Sequence, residues 1–349
     1  MTEVIRVDPG APDAVALARA ADCLRRGGLV AFPTETVYGL GVHALDRAAV
    51  RRLFEAKGRP VTDPLIVHVT SVEELPTLVA AVPESVVRLA DRFWPGPLTV
   101  VLPRSVRVPD EVTAGLHTVA IRIPAHPVAH ALIAAASVPV AAPSANLFSR
   151  PSPTRASHVL DDLAGRIDLV VDGGPTPVGV ESTVLDLTGQ VPTILRPGAV
   201  SLQMLRAILP EVEQRSPREP VSGAMPSPGM LDRHYSPRAA LTVYEADAVA
   251  RLAHDACASA AQGHRIGVIA ADEDRHALNE LARFADRVAI VYLGSERDLA
   301  TVASRLYASM RELDAAGVDR ILARSFHGND GLADAIRDRL RRAGVAPDA

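Results

Sequence analysis

A proline-rich segment divides this chain into two stretches, each of which alternates between helix-like and strand-like patterns. Residues 210–240 contain six prolines and no apolar period, which is typical of an extended linker. On either side of it, apolar residues recur with helical spacing or form short runs typical of buried strands. The pattern predicts two α/β domains, residues 1–209 and 241–349, joined by the linker 210–240.

The first stretch predicts a twisted sheet of mixed strand direction. Helical spacing over residues 13–26 ends at two glycines, residues 29–32 form a buried strand, and a second helix covers 46–57. Several later strands have no clear helix between them, which favours antiparallel as well as parallel pairs. These strands are predicted at 65–69, 98–102, 119–123, 138–142, 169–171 and 183–187.

The second stretch predicts a smaller, Rossmann-like three-layer α/β domain. It is a regular series in which each strand is followed by a helix, the pattern that forms a parallel sheet covered by helices. Strands are predicted at 241–244, 266–270, 288–293 and 320–323, and helices near 246–261, 273–284, 296–316 and 330–342.

Composition narrows the possible functions. The net charge of −4 disfavours a protein that mainly grips nucleic acid, although a local basic pocket stays possible. Cys23 and Cys257 are far apart and lack metal-ligand spacing, which argues against a disulfide framework or a zinc site. No apolar run reaches about 18 residues and no leader pattern opens the sequence. We therefore expect a cytoplasmic protein.

Lysine occurs once, as Lys57, among 37 basic residues. It lies at the end of the predicted helix 46–57, two residues before Arg59. A compact ammonium beside a planar guanidinium suits the binding of phosphate oxygens. Cations are also favoured at helix C-termini for structural reasons, so both interpretations stay open.

Polar residues follow several predicted strands, at the sheet edge where α/β proteins usually bind ligands. Residues 34–36, Thr-Glu-Thr, follow the strand 29–32, and Ser144 and Asn146 follow the strand 138–142. Residues 181–183 and Arg196 add further hydroxyls and a cation. The alternative for each is an ordinary polar connection.

Two polar residues lie inside apolar strands. His68 in such a strand is more often a hydrogen-bonded core residue than a ligand. Arg122 lies between two isoleucines, and a buried arginine needs a carboxylate, either from the protein or from a substrate. The residues alone leave these alternatives open.

Common nucleotide and hydrolase motifs are missing from the sequence. It contains neither a Gly-x-x-x-x-Gly-Lys-Ser/Thr loop nor a Gly-x-Gly-x-x-Gly fingerprint. It also lacks the Gly-x-Ser-x-Gly elbow of α/β-hydrolases. Any nucleotide site must therefore consist of dispersed side chains.

Five short motifs, taken in order, resemble the YrdC-like family. They are Pro-Thr-Glu-Thr-Val-Tyr-Gly-Leu at 33–40, Lys-Gly-Arg-Pro at 57–60, Pro-Leu-Ile-Val-His at 64–68, Pro-Ser-Ala-Asn at 143–146 and Ser-Pro-Thr at 152–154. Residues 227–237 also resemble the linker motif of the two-domain threonylcarbamoyl-AMP synthases within that family. Each motif is weak alone, but their ordered occurrence is specific. Asp63 and Ala142 occupy positions that vary among family members.

The resemblance implies an enzyme that joins L-threonine, bicarbonate and ATP, supplied with Mg²⁺, into threonylcarbamoyl-adenylate and pyrophosphate. A separate tRNA threonylcarbamoyl transferase would use the product, and direct contact with tRNA would be weak. The resemblance implies catalytic roles for Lys57, Arg59, Ser144 and Asn146. It assigns to ATP these four residues and Asp63, Thr118, Ser152, Arg196 and Tyr235. It assigns to L-threonine Thr34, His68, Arg122, Ala142 and Ser182. It also implies that the linker forms a strap over the site.

Two alternative functions share this fold. An RNA-binding module without the activity is the main alternative, but the acidic net charge and the lack of interleaved basic and aromatic residues count against it. A carbamoyl-transfer domain of hydrogenase maturation proteins would normally carry acylphosphatase and zinc-finger-like segments, which the two isolated cysteines do not support.

Overall fold

The structure of the chain, a computed structural model, describes residues 1–215, 225, 234–328 and 331–347. Contacts define two units, Met1–Phe148 with Ser152–Met230, and Ser149–Pro151 with Leu231–Ala349. Ser149–Pro151 thus belongs to the second unit, whereas the predicted first domain included it. Of the predicted strap at 227–237, residues 227–233 lie outside the described residues.

The helices of the first unit include both predicted ones. Asp13 and Asp46 cap them, since each carboxylate accepts hydrogen bonds from amides two and three residues later. The second of these helices ends at Gly58, whose φ of 63° suits a glycine. The helices are α1 (Ala14–Arg25), α2 (Arg47–Lys57), α3 (Glu84–Phe93), α4 (Asp110–Thr113), α5 (Pro127–Ala136), α6 (Ala156–Leu163) and α7 (Leu202–Arg206).

Eleven strands among the described residues of this unit form one mixed sheet, as predicted. Parallel pairs such as β4 with β6 alternate with antiparallel pairs such as β6 with β5. The order across the sheet is β1-β8-β2-β3-β7-β4-β6-β5-β9-β10-β11. The strands are β1 (Glu3–Arg6), β2 (Val30–Pro33), β3 (Tyr38–His43), β4 (Ile66–His68), β5 (Leu98–Pro103), β6 (Thr118–Arg122), β7 (Val140–Ala141), β8 (Leu169–Asp172), β9 (Thr183–Asp186), β10 (Thr193–Arg196) and β11 (Glu213–Gln214).

The two faces of this sheet are packed differently. One face joins residues of α2, α3 and α6 in a continuous core that includes Val67, Val100 and Ile121. On the other face, α1 and α5 pack against Val30 and Phe32. Further along that second face lies a smaller apolar cluster, and none of its described residues belongs to a helix. The cluster consists of Ile66, Val101, Ala120, Val184 and Leu195, with Met225 packed against it. We call this surface of β4, β6, β5 and β9 the open face.

The motif at 33–40 forms a hairpin. Its residues end β2, turn over 34–37 and begin β3, which pairs antiparallel with β2. The sequence predicted a polar turn here but not the returning strand. Gly41 of β3 allows the Phe32 ring to lie across it, because a Cβ atom there would be 2.6 Å from Phe32 Cε1.

The second unit contains the predicted parallel sheet. Its strands β12 (Ala240–Tyr244), β13 (Ile266–Ala270), β14 (Val288–Tyr292) and β15 (Arg320–Arg324) lie in the order β12-β15-β13-β14. Its helices are α8 (Val249–Ala261), α9 (Leu299–Ala315) and α10 (Gly331–Ala343). No helix within the described ranges is long and apolar enough to cross a membrane.

The predicted helix at 273–284 is wrong. The segment instead forms two 3₁₀ helices, Asp272–Arg275 and Asn279–Phe284. Leu278, Leu281 and Phe284 pack into the core of this unit, and their spacing of three residues matches the 3₁₀ repeat better than the α-helical one.

We predict that Gly41→Ala destabilises the first unit by about 1–3 kcal/mol, because the added methyl group overpacks against Phe32 and Val140. Denaturant unfolding followed by the fluorescence of Trp94, the only tryptophan, measures this. Gly189→Ala is the matched control, since Gly189 is exposed and its nearest neighbour atom is 3.7 Å from the added carbon. A Gly41→Ala protein as stable as the control would contradict the packing argument.

Candidate active site

The strand register brings several predicted site residues to the open face. His68 of β4 lies opposite Arg122 of β6, and Ile66 lies opposite Ala120. Because alternate residues of a strand face the same way, Thr118 shares the face of Ala120 and Arg122. Ser182, two residues before Val184, also lies at this face.

Arg122 is buried and its guanidinium has three partners. Nε donates to the carbonyl of Gly96 at 3.2 Å, and Nη1 donates to Thr36 Oγ1 at 2.9 Å. Nη2 lies 2.6 Å from Glu35 Oε1. The partner of this buried arginine is therefore a protein carboxylate, a question that the sequence left open.

Hydroxyl groups extend this network into the turn of the β2–β3 hairpin. Thr34 Oγ1 lies 2.8 Å from Thr36 Oγ1 and donates to the carbonyl of Val37 at 2.7 Å. Because the single hydroxyl proton of Thr34 is used there, Thr36 is the donor to Thr34. Thr34 Oγ1 also accepts hydrogen bonds from the amides of Thr36 at 3.2 Å and Val37 at 3.3 Å, so the Thr34 hydroxyl holds the turn together.

His68 is a buried, neutral imidazole. Burial and then the charge of Arg122 lower its pKa to about 3, against a smaller opposing effect of the Ile66 and Val140 backbone. Its Nδ1 atom has no hydrogen-bond partner among the described residues. His68 thus offers an uncharged polar group beside Arg122.

Ser182, which is predicted to bind threonine, contacts Arg196, which is predicted to bind ATP. Its hydroxyl lies 2.8 Å from Thr99 Oγ1 and accepts a hydrogen bond from Arg196 Nη2 at 3.1 Å. Arg196 Nε also donates to the Ser182 carbonyl at 3.1 Å. One residue from each of the two predicted sets is therefore in direct contact with the other.

Lys57 joins the end of α2 to the turn after β7. Its ammonium donates to the carbonyls of Ser144 at 2.6 Å and Asn146 at 2.5 Å. The amide of Phe148 donates in turn to the Lys57 carbonyl at 2.9 Å. The structure therefore brings Lys57 together with Ser144 and Asn146, which follow it by 87 and 89 residues in the chain.

Arg59 and Asp63 form a buried ion pair at 2.9 Å. Arg59 also donates to the carbonyls of Asp63 and Pro64. Removing one member of such a pair would leave the other charge buried, which typically costs about 3–5 kcal/mol. Arg59 also lines a cavity of about 750 Å³ between α2 and α4, together with Phe54 and Thr62.

The remaining predicted residues are placed as follows. Ser152 is buried and donates to Glu181 Oε1 at 2.5 Å. Ala142 is buried and its amide donates to the Ile66 carbonyl at 2.9 Å. Tyr235 belongs to the second unit, where its ring packs on His234 and Tyr307, with the Arg339 guanidinium 5.5 Å from the ring centre.

Sequence reasoning missed Thr99 and did not predict the contacts of Glu35, Thr36 and Glu181, which it had named only within polar segments after strands. Glu35 and Thr36 were quoted within the motif at 33–40, but nothing in their spacing linked them to Arg122. Thr99 and Glu181 likewise contact predicted residues only because distant strands pair.

Within the described residues, no group of three or more His, Cys, Asp or Glu side chains is arranged to hold a metal ion.

Comparisons with known proteins identify the family of this chain. The family model Sua5/YciO/YrdC, described as telomere recombination, matches residues 22–198, and one described as threonylcarbamoyl-AMP synthase, C-terminal domain, matches residues 200–344. The threonylcarbamoyl-AMP synthase of Pyrococcus abyssi is 44% identical over 93% of this chain and 92% of its own length. The chain belongs to the threonylcarbamoyl-AMP synthase family.

Two further matches to this family extend over nearly the whole chain. The threonylcarbamoyl-AMP synthase of Bacillus subtilis is 43% identical over 94% of this chain and 92% of its own length. The crystal structure of P. abyssi Sua5 complexed with L-threonine has a TM-score of 0.91 at 41% identity and covers 99% of each chain. The prediction of a YrdC-like sheet followed by a smaller α/β domain is confirmed.

The low pKa of His68 predicts an acid sensitivity of the first unit. The imidazole takes up a proton near its ordinary pKa of 6.5 when unfolded but only near pH 3 when folded. The neutral imidazole therefore makes its full contribution to the free energy of unfolding above pH 6.5. Below that pH the free energy of unfolding falls by about 1.4 kcal/mol per pH unit. We compare the free energy of unfolding at pH 7.5 and pH 5.5, measured by Trp94 fluorescence. The loss of this free energy over the whole interval should be smaller in His68→Gln by about 1.4 kcal/mol. Equal pH dependence in both proteins would contradict a neutral buried His68.

Proposed function

We propose that this chain is an L-threonylcarbamoyladenylate synthase, which condenses L-threonine, bicarbonate and ATP into threonylcarbamoyl-adenylate and pyrophosphate. The observation that carries the proposal is the Ser182–Arg196 contact, because it brings a residue proposed to bind threonine next to one proposed to bind phosphate. Family membership and the likeness to a relative complexed with L-threonine support it.

Threonine binds at the Arg122 end of the open face. A buried guanidinium is suited to a carboxylate, the Ser182 hydroxyl offers a polar atom for the rest of the amino acid, and Thr34 holds the turn beside it. Neutral His68 adds no second charge there. Ala142 limits the space next to Ile66.

ATP binds toward Arg196, Lys57 and the Ser144–Asn146 turn. The threonine ammonium first gives up one proton to solvent. The neutral amine then attacks bicarbonate, which gives the carbamate and water, and a carbamate oxygen attacks the α-phosphorus with loss of pyrophosphate. Cations held in place before the reaction stabilise the charge that develops on the phosphates. Mg²⁺ enters with ATP as part of the substrate. Arg59, Asp63, Thr118 and Ser152 are the further proposed nucleotide contacts of the first unit, and the role of Tyr235 stays a prediction.

A carbamate decomposes in water, so the site must exclude solvent. We propose that the linker closes it. Met225 supports this, because its amide donates to the Thr62 carbonyl at 3.2 Å and its side chain packs on the apolar cluster of the open face. The product then passes to a separate transferase that modifies tRNA, and both proteins act in the cytoplasm.

The proposed function predicts that pyrophosphate release from MgATP requires both L-threonine and bicarbonate. Arg196→Gln should lower kcat/KM by about 10²–10³-fold, the usual effect of removing one donor that stabilises charge in the transition state. Arg51→Gln is the control, because Arg51 is exposed and pairs with Glu111 outside the open face. A colorimetric pyrophosphate assay measures all three proteins.

Two results would count against this function. Release that does not depend on threonine would remove the amino acid from the reaction. Full activity in a folded Arg196→Gln protein would remove Arg196 from the phosphate subsite. Tight binding of RNA without any threonine-dependent turnover would instead favour the RNA-binding alternative.

The proposed role of the linker predicts a specific effect of Met225→Ala. Loss of this apolar anchor should raise the KM for ATP by about 3- to 10-fold, because the linker then holds the nucleotide less firmly. Met204→Ala on α7, where the side chain is largely exposed, should leave the KM unchanged. Equal KM values for the two variants would show that Met225 does not anchor a closure.

A further inference from the structure

Glu35 is a buried carboxylate that the reaction outlined above does not use. Its side chain is 10% exposed, and Oε1 lies 2.6 Å from Arg122 Nη2. Apart from this ion pair, neither carboxylate oxygen has a hydrogen-bond partner among the described residues. An ionised carboxylate has about four acceptor positions, so Glu35 can accept further hydrogen bonds.

The backbone around Glu35 holds this carboxylate in place. The Glu35 carbonyl accepts a hydrogen bond from the Val178 amide at 2.9 Å, and the Thr36 carbonyl accepts one from the Gly179 amide at 3.0 Å. The Thr36 hydroxyl accepts from Arg122 as well. Glu35 is thus fixed against Arg122 by the turn on which it lies.

A second carboxylate on Arg122 would create an imbalance of charge. One buried cation would then face two anions, and the charge of Glu35 would lose part of its compensation in a site of low polarity. A ligand that brings its own cation avoids this cost. An α-amino acid does so, because its ammonium group is two bonds from its carboxylate carbon.

We propose that Glu35 binds the ammonium group of the amino acid substrate, so that the Arg122–Glu35 ion pair recognises an α-amino acid zwitterion. This inference rests on the proposed function. The substrate carboxylate lies against the guanidinium and the ammonium lies against Glu35, so the net charge of the site does not change on binding. His68 stays neutral beside the pair and leaves this balance intact.

The pair also selects against acids that lack an amino group. Such a ligand can satisfy Arg122 only by leaving Glu35 uncompensated. (R)-3-Hydroxybutyrate tests this, because it is L-threonine without the ammonium group and keeps the hydroxyl configuration. The two ligands should therefore respond in opposite directions when the charge of Glu35 is removed.

The experiment measures the Kd of both ligands by calorimetry for the unaltered chain and for Glu35→Gln. In Glu35→Gln, L-threonine should bind about 10- to 100-fold more weakly, through loss of a charge-assisted hydrogen bond. (R)-3-Hydroxybutyrate should bind more tightly than to the unaltered chain, because Arg122 is then without a competing anion. Glu111→Gln, which weakens the half-buried ion pairs with Arg47 and Arg51 outside the open face, should change neither Kd.

A parallel loss of affinity for both ligands in Glu35→Gln would overturn the proposal, because it would indicate a structural role. If Glu35→Gln does not fold, Glu35→Asp keeps the charge but withdraws it by one methylene. Threonine should then bind more weakly while (R)-3-hydroxybutyrate stays excluded, and tighter binding of the acid to Glu35→Asp would overturn the proposal. Failure of the unaltered chain to bind threonine would reject the proposed function itself, whereas normal turnover with unchanged threonine affinity in Glu35→Gln would reject only the role of Glu35.

Discussion

Burial of charge is the constraint on which the candidate site depends. Arg122 is buried at the end of β6, an interior strand of the sheet, where an isolated cation would be strongly unfavourable. It is stable there because Glu35, Thr36 and the Gly96 carbonyl come to it from other parts of the chain. The hairpin turn that carries Glu35 and Thr36 therefore contributes both to stability and to the site.

The other buried cations follow the same principle with different partners. Arg59 is balanced by Asp63 within one short loop, whereas Lys57 donates to two backbone carbonyls and so joins α2 to the turn after β7. Groups held in this way need little reorganisation when charge develops on a ligand, which is the usual source of electrostatic catalysis. The free energy needed to desolvate these charges is therefore spent on folding, before any ligand of the proposed reaction binds.

Two patterns explain how much of the fold could be predicted. The helices 13–26 and 46–57 have capping aspartates, a glycine stop and a clear apolar period, and the structure contains both within a few residues. The strands of the second unit are short apolar runs between helices, and these too were found. The segment 273–284 failed because its apolar spacing of three was taken for a helical one, and the strand after the turn at 34–37 was missed because its glycines conceal the apolar alternation.

The sequence by itself determined the kinds of residue that the site could use. It marked the single lysine, the arginine inside a strand and the polar residues after strands, and the order of its motifs indicated the family. Only the tertiary structure decided which of these residues meet, because pairing of β4, β6, β5 and β9 depends on contacts between residues far apart in the chain. The partner of Arg122 shows the difference: local sequence requires a carboxylate, but the choice of Glu35 follows from how the hairpin turn packs on a strand 86 residues away.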